Sequence, residues 1–261
     1  YQNLLEAFKN KKYRFLTMEE YSLFSISESK ASFKDSSSSL VILRHDIDRL
    51  PNNALKMAQL EYELDVKATY YFRIGNNIFN KKIIKQIINY GHELGYHYEN
   101  MDHRQGNFQA AYRDFCHNLK QFRKLYPVRT ICMHGSPLSK WDNRDLWNKY
   151  EYQDLGIIGE PYFDIDFNKV LYLTDTGRRW DGEQFAVRDK VPDNARLKNQ
   201  NAKLQIRTTM DLIEATKKDI LPDRVMLTVH PQRWTDNYIL WLKELLMQNF
   251  KNIFKRYLNT L

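Results

Sequence analysis

Apolar positions along this chain switch repeatedly between two spacings. Leu40-Val41-Ile42-Leu43 is an unbroken apolar run that turns polar at once in Arg44-His45-Asp46-Ile47-Asp48, which predicts a buried strand and its end. Ala54, Met57, Ala58, Leu60 and Leu64 then fall on one helical stripe. The aromatic run KATYYFR reads as a strand, and Ile83, Ile84, Ile87 and Ile88 return to helical spacing before Gly91 stops them. HELGYH is a further short strand, Ala111, Phe115, Leu119, Phe122 and Leu125 mark a longer helix, and RTICMH is a strand after Pro127.

Outside this alternation, Leu4, Leu5 and Phe8 open the chain with a helical stripe, and the serines at 35–39 read as a loop. The region from about 135 to 206 is less regular, with short strand candidates (VLYLT, EQFAV, AKLQIR) between prolines, glycines and asparagines. A helix capped by Thr208 or Thr209, the strand RVMLTVH and the helix NYILWLKELLMQNF complete the pattern. Repeated βα units predict an α/β fold with a largely parallel sheet and helices outside it, either a barrel or a doubly wound sheet. One domain over 1–261, with its middle elaborated into long loops, is the economical organisation.

Composition narrows the function classes. With 261 residues and 43% hydrophobic content the chain can bury a substantial core, and no apolar stretch approaches the roughly 18 residues of a membrane span. Cys116 and Cys132 lie far apart with no metal or disulfide spacing, which favours a reducing compartment and the cytoplasm as the expected location. The net charge of +8 would suit an acidic partner. Its cations are scattered, however, and the denser runs (Lys9, Lys11, Lys12 and Lys251, Lys255, Arg256) bring no nucleic-acid motif, so no nucleic-acid partner is expected. Aromatic residues are many, with 17 Tyr, 14 Phe and 5 Trp, and those among polar residues at 141–180 can pack a core or line a groove for a sugar.

The histidines point to chemistry. Of seven, His117 lies mid-helix, whereas His45, His97, His134 and His230 each fall at or just after the C-terminal end of a predicted strand. In a βα fold such ends converge on one face. Asp48, His97 and one more imidazole form a mixed nitrogen and oxygen set suited to a zinc-type divalent metal, with a position left for water and Asp46 near enough to take its proton.

LRHDID, GHELGYHYE and MLTVHPQRW resemble diverged forms of the motifs of the polysaccharide deacetylases, the NodB-like carbohydrate esterases of family 4. The resemblance covers most of the chain in order and is weak between 136 and 206. It implies a distorted (β/α)7 barrel and a hydrolase that removes N- or O-acetyl groups from a carbohydrate or glycan with one divalent metal, expected to be Zn2+. It implies Asp46 as catalytic base, Asp48 and His97 as metal ligands, and His230 as general acid. Two departures stand out: Ile47 separates aspartates that the family places side by side, and Met101 occupies the place of the family's second metal histidine. In an extended segment residues i and i+2 share a face, so both carboxylates can still enter one site. The third ligand is then His134, which follows a strand beside Gly135, or His103 in a polar loop. The first is preferred.

Gly135 to Asp181 is the expected substrate rim. Trp141, Trp147, Trp180 and Trp234 offer rings for sugar faces, and Asp175, Arg178 and Arg179 offer polar contacts that would suit an anionic glycan. Arg44 and His45 are expected beside the substrate, orienting the carboxylates, although Arg44 paired with Asp46 for stability alone is the alternative. A catalytically silent barrel that binds carbohydrate or a protein is the other class of function to weigh.

Overall fold

The computed structural model describes residues 1–30, 39–75, 77–136, 139–181, 191 and 206–258, and the strand candidates EQFAV and AKLQIR fall almost wholly outside them. Among the described residues seven strands form one sheet: β1 (Arg14–Leu16), β2 (Leu40–Ile47), β3 (Thr69–Phe72), β4 (Glu93–Tyr98), β5 (Ile131–Met133), β6 (Leu171–Thr174) and β7 (Arg224–Val229). Every pairing is parallel, in the order β5-β4-β3-β2-β7-β6. β1 lies along the first half of β2 (Arg14 opposite Leu40) and β3 along the second half (Arg44 opposite Thr69), so the two follow one another on the edge away from β7. The expected alternation is present as a curled sheet, a distorted barrel left open between its outer strands β5 and β6 among the described residues.

The helices follow from the stripes. α1 (Gln2–Asn10) buries Leu4, Leu5 and Phe8, and α2 (Met18–Lys30) follows β1. α3 (Pro51–Glu63) starts with proline in its first turn, where the missing N–H costs nothing. α4 (Lys81–Asn89) is capped by Asn80, whose side chain accepts from the backbone N–H of Lys82 and Ile83, and buries Ile83, Ile84 and Ile87. Each such isoleucine contributes about 1.5–3 kcal/mol of apolar burial. The short α5 (Asn100–His103) leads into α6 (Phe108–Arg123), capped by Asn107. α7 (Pro161–Asp164) precedes β6, and α8 (Thr209–Lys217) opens on a capping box in which Thr208 and Asp211 satisfy each other's backbone N–H. α9 (Tyr238–Leu258) closes the chain.

Between strands the packing is tight enough to dictate residue size. At Gly95 of β4 a Cβ would stand 2.2 Å from the ring of Tyr71, which fills the space between strands and donates to Thr130 Oγ1 at 3.0 Å. Alternation along β2 then divides its polar end in two. Arg44 and Asp46 face the sheet's inner side with Tyr71 and His97, while His45 leaves on the other side toward α3.

Candidate metal centre

Asp46 and Asp48 at the end of β2, His97 on β4, His134 after β5 and His230 after β7 meet at the C-terminal ends of the strands. His97 Nε2 and His134 Nε2 each stand 3.6 Å from Asp48 Oδ1, and His230 Nε2 lies 3.9 Å from Asp48 Oδ2. These contacts are too long for hydrogen bonds. Atoms bound at about 2.0–2.2 Å to one tetrahedral centre lie roughly 3.3–3.6 Å apart, which is the spacing seen.

What holds the imidazoles supports this chemistry. His97 Nδ1 is 2.9 Å from the carbonyl of Cys132, and His134 Nδ1 is 3.0 Å from Glu99 Oε2. With Nδ1–H donated outward, both rings turn a lone pair on Nε2 toward Asp48, the tautomer that a metal ligand needs. Arg73 in turn grips Glu99 with two hydrogen bonds of 3.0 and 2.5 Å. Burial raises the cost of ionising Glu99, yet His134 and Arg73 outweigh it and hold the carboxyl at about 2.

Asp48 is the fit test for a cation. Oδ2 accepts from Gln232 Nε2 at 3.2 Å, while Oδ1 is buried without a hydrogen-bond partner. An unpaired buried carboxylate oxygen is costly unless something positive meets it. Burial works against the charge on Asp48, but His97, His134 and His230 in their protonated forms hold its pKa well below the usual carboxylate range, a positive charge that a bound cation would supply in their place with the rings neutral. The donor set of one carboxylate and two neutral imidazoles fits a divalent metal of the zinc type. Asp46, His97 and Cys132 form a second close group, but Arg44 already occupies Asp46.

Asp46 is nearly buried and clamped: Arg44 Nε donates to Oδ1 at 2.8 Å and an Arg44 terminal nitrogen to Oδ2 at 2.6 Å. Burial opposes its ionisation, and Arg44 and His97 more than compensate, so its pKa is lowered. His230 has a different support. Its Nδ1 is 2.6 Å from Asp175 Oδ1, and Asp175 also accepts from Arg233 at 2.5 Å and from Trp234 Nε1 at 2.9 Å. Despite burial, Arg233 and His230 keep Asp175 ionised well below the carboxylate range.

The other sequence-predicted residues separate. His103, half exposed at the end of α5, faces Glu99 Oε1 at 3.3 Å and not Asp48. His45 lies fully buried behind β2 against Glu61. Trp147 packs among Tyr98, Phe115 and Tyr152, and Trp141 lies over Gly106, where φ is +77° and a Cβ would be 2.5 Å from the ring. Arg179 pairs with Asp181. Asp175, Arg178, Trp180 and Trp234 line a cavity of about 320 Å³ together with Arg233 and Trp241. Sequence reading missed Glu99, Arg73, Gln232 and Arg233. Glu99 stands two residues after His97, and Gln232 and Arg233 directly follow the motif histidine, so proximity was their only signal.

No family model and no curated relative matches the sequence. Among solved structures, the chain is similar to a Streptococcus mutans carbohydrate esterase of family 4 (19% identity, TM-score 0.44, covering 84% of this chain and 83% of that one). It is similar to a family 4 carbohydrate esterase from Bacillus anthracis (11%, TM-score 0.43, covering 88% and 84%). A third is a family 4 pseudoenzyme from Bacillus anthracis (12%, TM-score 0.43), of whose length the chain spans 60% while 81% of this chain is covered.

Proposed function

We propose that the chain is a diverged polysaccharide deacetylase that hydrolyses an acetyl group from a carbohydrate or glycan. The observation that carries the proposal is the unpaired Asp48 Oδ1 faced by two imidazoles whose Nδ1 atoms are already engaged. Asp48, His97 and His134 would hold one Zn2+, which when bound supplies Lewis acidity toward water and an acyl carbonyl.

The chain's own groups divide the proton work. Arg44 keeps Asp46 ionised, the form that accepts a proton from the attacking water at a carboxylate oxygen. His230, oriented through Nδ1 by Asp175, carries a proton on Nε2 toward the departing amine or alkoxide, and ionised Asp175 stabilises the imidazolium. The cavity beside this pair, with Trp180, Trp234, Arg178 and Arg233, is the proposed place for a sugar, and its arginines suit an anionic one.

A second reading has one observation in its favour. Both oxygens of Asp46 are engaged by Arg44, which lowers its basicity, so a silent barrel that binds carbohydrate without cleaving it has a physical basis. Acetate release from a panel of acetylated sugars, measured with metal content in the wild type and in Asp46→Asn, Asp48→Ala and His230→Ala, decides between them. Asp46→Asn is expected to keep its metal and lose about 10²–10⁴-fold in rate, and Asp48→Ala to lose both. Metal-loaded wild type that releases no acetate from any member selects the silent barrel.

A further inference from the structure

The two halves of the metal centre arrive on separate turns, and one side chain outside the ligand set ties these turns together. After β2 only Arg49 and Leu50 separate Asp48 from α3, and Leu50 is held at φ +52°, a left-handed conformation that a bulky residue adopts only when its surroundings impose it. The link is short and fixed, so the first turn of α3 keeps a set relation to Asp48. From that turn Asn53 Nδ2 donates one hydrogen to the carbonyl of Pro231 at 3.2 Å and the other to the carbonyl of Trp234 at 3.1 Å. These two carbonyls bracket Gln232 and Arg233 on the turn that follows β7. Both bracketed side chains serve the site: Gln232 Nε2 donates to Asp48 Oδ2, and Arg233 donates to Asp175 Oδ1.

Gln232 decides how Asp48 can meet a cation. Its side chain is nearly buried, and its Oε1 has no hydrogen-bond partner. An unpaired buried acceptor is costly, and the carboxamide keeps this orientation because only Nε2 can face a carboxylate oxygen. With Oδ2 so engaged, Oδ1 alone faces His97 and His134. A carboxylate with both oxygens free can grip a divalent ion with both and fill the place otherwise left for water. A glutamine side chain rotates about several bonds, so it restrains a carboxylate only as firmly as its own backbone is held. We infer that Asn53 is a positioning residue that, acting through Gln232, keeps Asp48 a one-oxygen ligand and so preserves an open place on the metal. This role rests on the metal centre proposed above, and it does not depend on whether that centre hydrolyses an acetyl group.

The test is a double-variant cycle on the full chain, read by zinc affinity in a chelator competition and by the visible absorption of the cobalt-substituted site. Gln232→Ala should weaken zinc binding about 10–100-fold, and Asn53→Ala about tenfold. The two substitutions together should match Gln232→Ala alone within about twofold, because one residue acts through the other. Cobalt absorption should fall in each variant as Asp48 turns its second oxygen to the ion, since four-coordinate cobalt absorbs more strongly than five-coordinate cobalt. Asn53→Asp fills the same space without a donor and should repeat the Asn53→Ala result, with thermal unfolding confirming that each variant folds. Additive losses in the cycle, or Asn53 variants with wild-type zinc affinity and cobalt spectrum, overturn the role of Asn53 and leave the metal centre standing. A wild type that binds no zinc overturns both.

Discussion

Two buried histidine and carboxylate clusters lie on opposite sides of β2, and they differ in how their carboxylates are satisfied. Behind the strand, Glu61 is saturated: Oε1 is 2.7 Å from His45 Nε2 and 2.5 Å from Tyr1 Oη, and Oε2 accepts from Tyr70 Oη at 2.7 Å with His92 at 3.7 Å. In front, Asp48 leaves one oxygen unpaired while imidazole nitrogens gather around it beyond hydrogen-bonding distance. The residue types are the same, but Glu61, His45 and His92 are fully buried whereas Asp48 and His134 keep 22% and 16% of their side-chain surface exposed. A carboxylate with both oxygens paired, as in Glu61 even though His45 Nδ1 beside it has no partner, marks a structural network, and a carboxylate oxygen left unpaired among converging imidazoles marks a place for a ligand.

The sharpest way to break this contrast is at its closed half. Glu61→Ala should cost about 3–5 kcal/mol in denaturant unfolding, because it strands His45 and two tyrosine hydroxyls in the core, and the folded variant should bind metal as the wild type does. Loss of metal binding with little loss of stability would reverse the two assignments.

A third buried carboxylate extends the contrast to one completed by a proton. Glu93 is surrounded by Thr69, Thr130 and the backbone N–H of Glu19, and burial pushes its pKa up to about 7. The folded chain therefore keeps a proton that the unfolded chain releases near its ordinary value. Stability from this group is complete at low pH and is lost as pH rises toward about 7, by up to about 3 kcal/mol. Unfolding free energies across that range should decline in the wild type and decline less in Glu93→Gln. An identical slope in both removes Glu93 as the cause.

At the open half the effects are smaller because the ligand atoms themselves remain. Glu99→Gln should weaken zinc affinity about 10–100-fold in a competition titration by loosening His134, with stability less affected than by Glu61→Ala. His103→Ala should leave the same affinity unchanged within about twofold, since its ring lies on the outer side of Glu99. A large loss in His103→Ala with none in His134→Ala would move the third ligand position to His103.

Much of this fold could be read from the chain and some could not, for physical reasons. β2, β4 and β7 declare themselves because apolar runs meet histidines and aspartates at their ends, and α4 and α6 because their buried positions repeat at helical spacing. β1 has only Leu16 buried out of three residues, and the apolar positions of α2 follow no single stripe, so neither stands out from a loop. Strand ends told which histidines reach one end of the sheet but not which side each takes. His45 therefore joined the expected site although the side-chain alternation that brings Asp46 and Asp48 together turns His45 away. Glu99, Arg73 and Gln232 act by orienting other groups, a role set by rotation within the fold that no spacing records.

The order of strands also bears on how the chain acquires its shape during synthesis. β7, which follows β2 to β6 in the chain, inserts between β2 and β6 in the middle of the sheet, and Gln232 reaches Asp48 from 184 positions along the chain. Until then one edge of β2 stays uncovered, with unpaired peptide groups and the apolar side chains of Leu40 to Leu43 open to wrong partners. Such high contact order predicts slow maturation and a nascent chain that depends on chaperones, and truncated products lacking β7 should accumulate as aggregates rather than as partly folded protein.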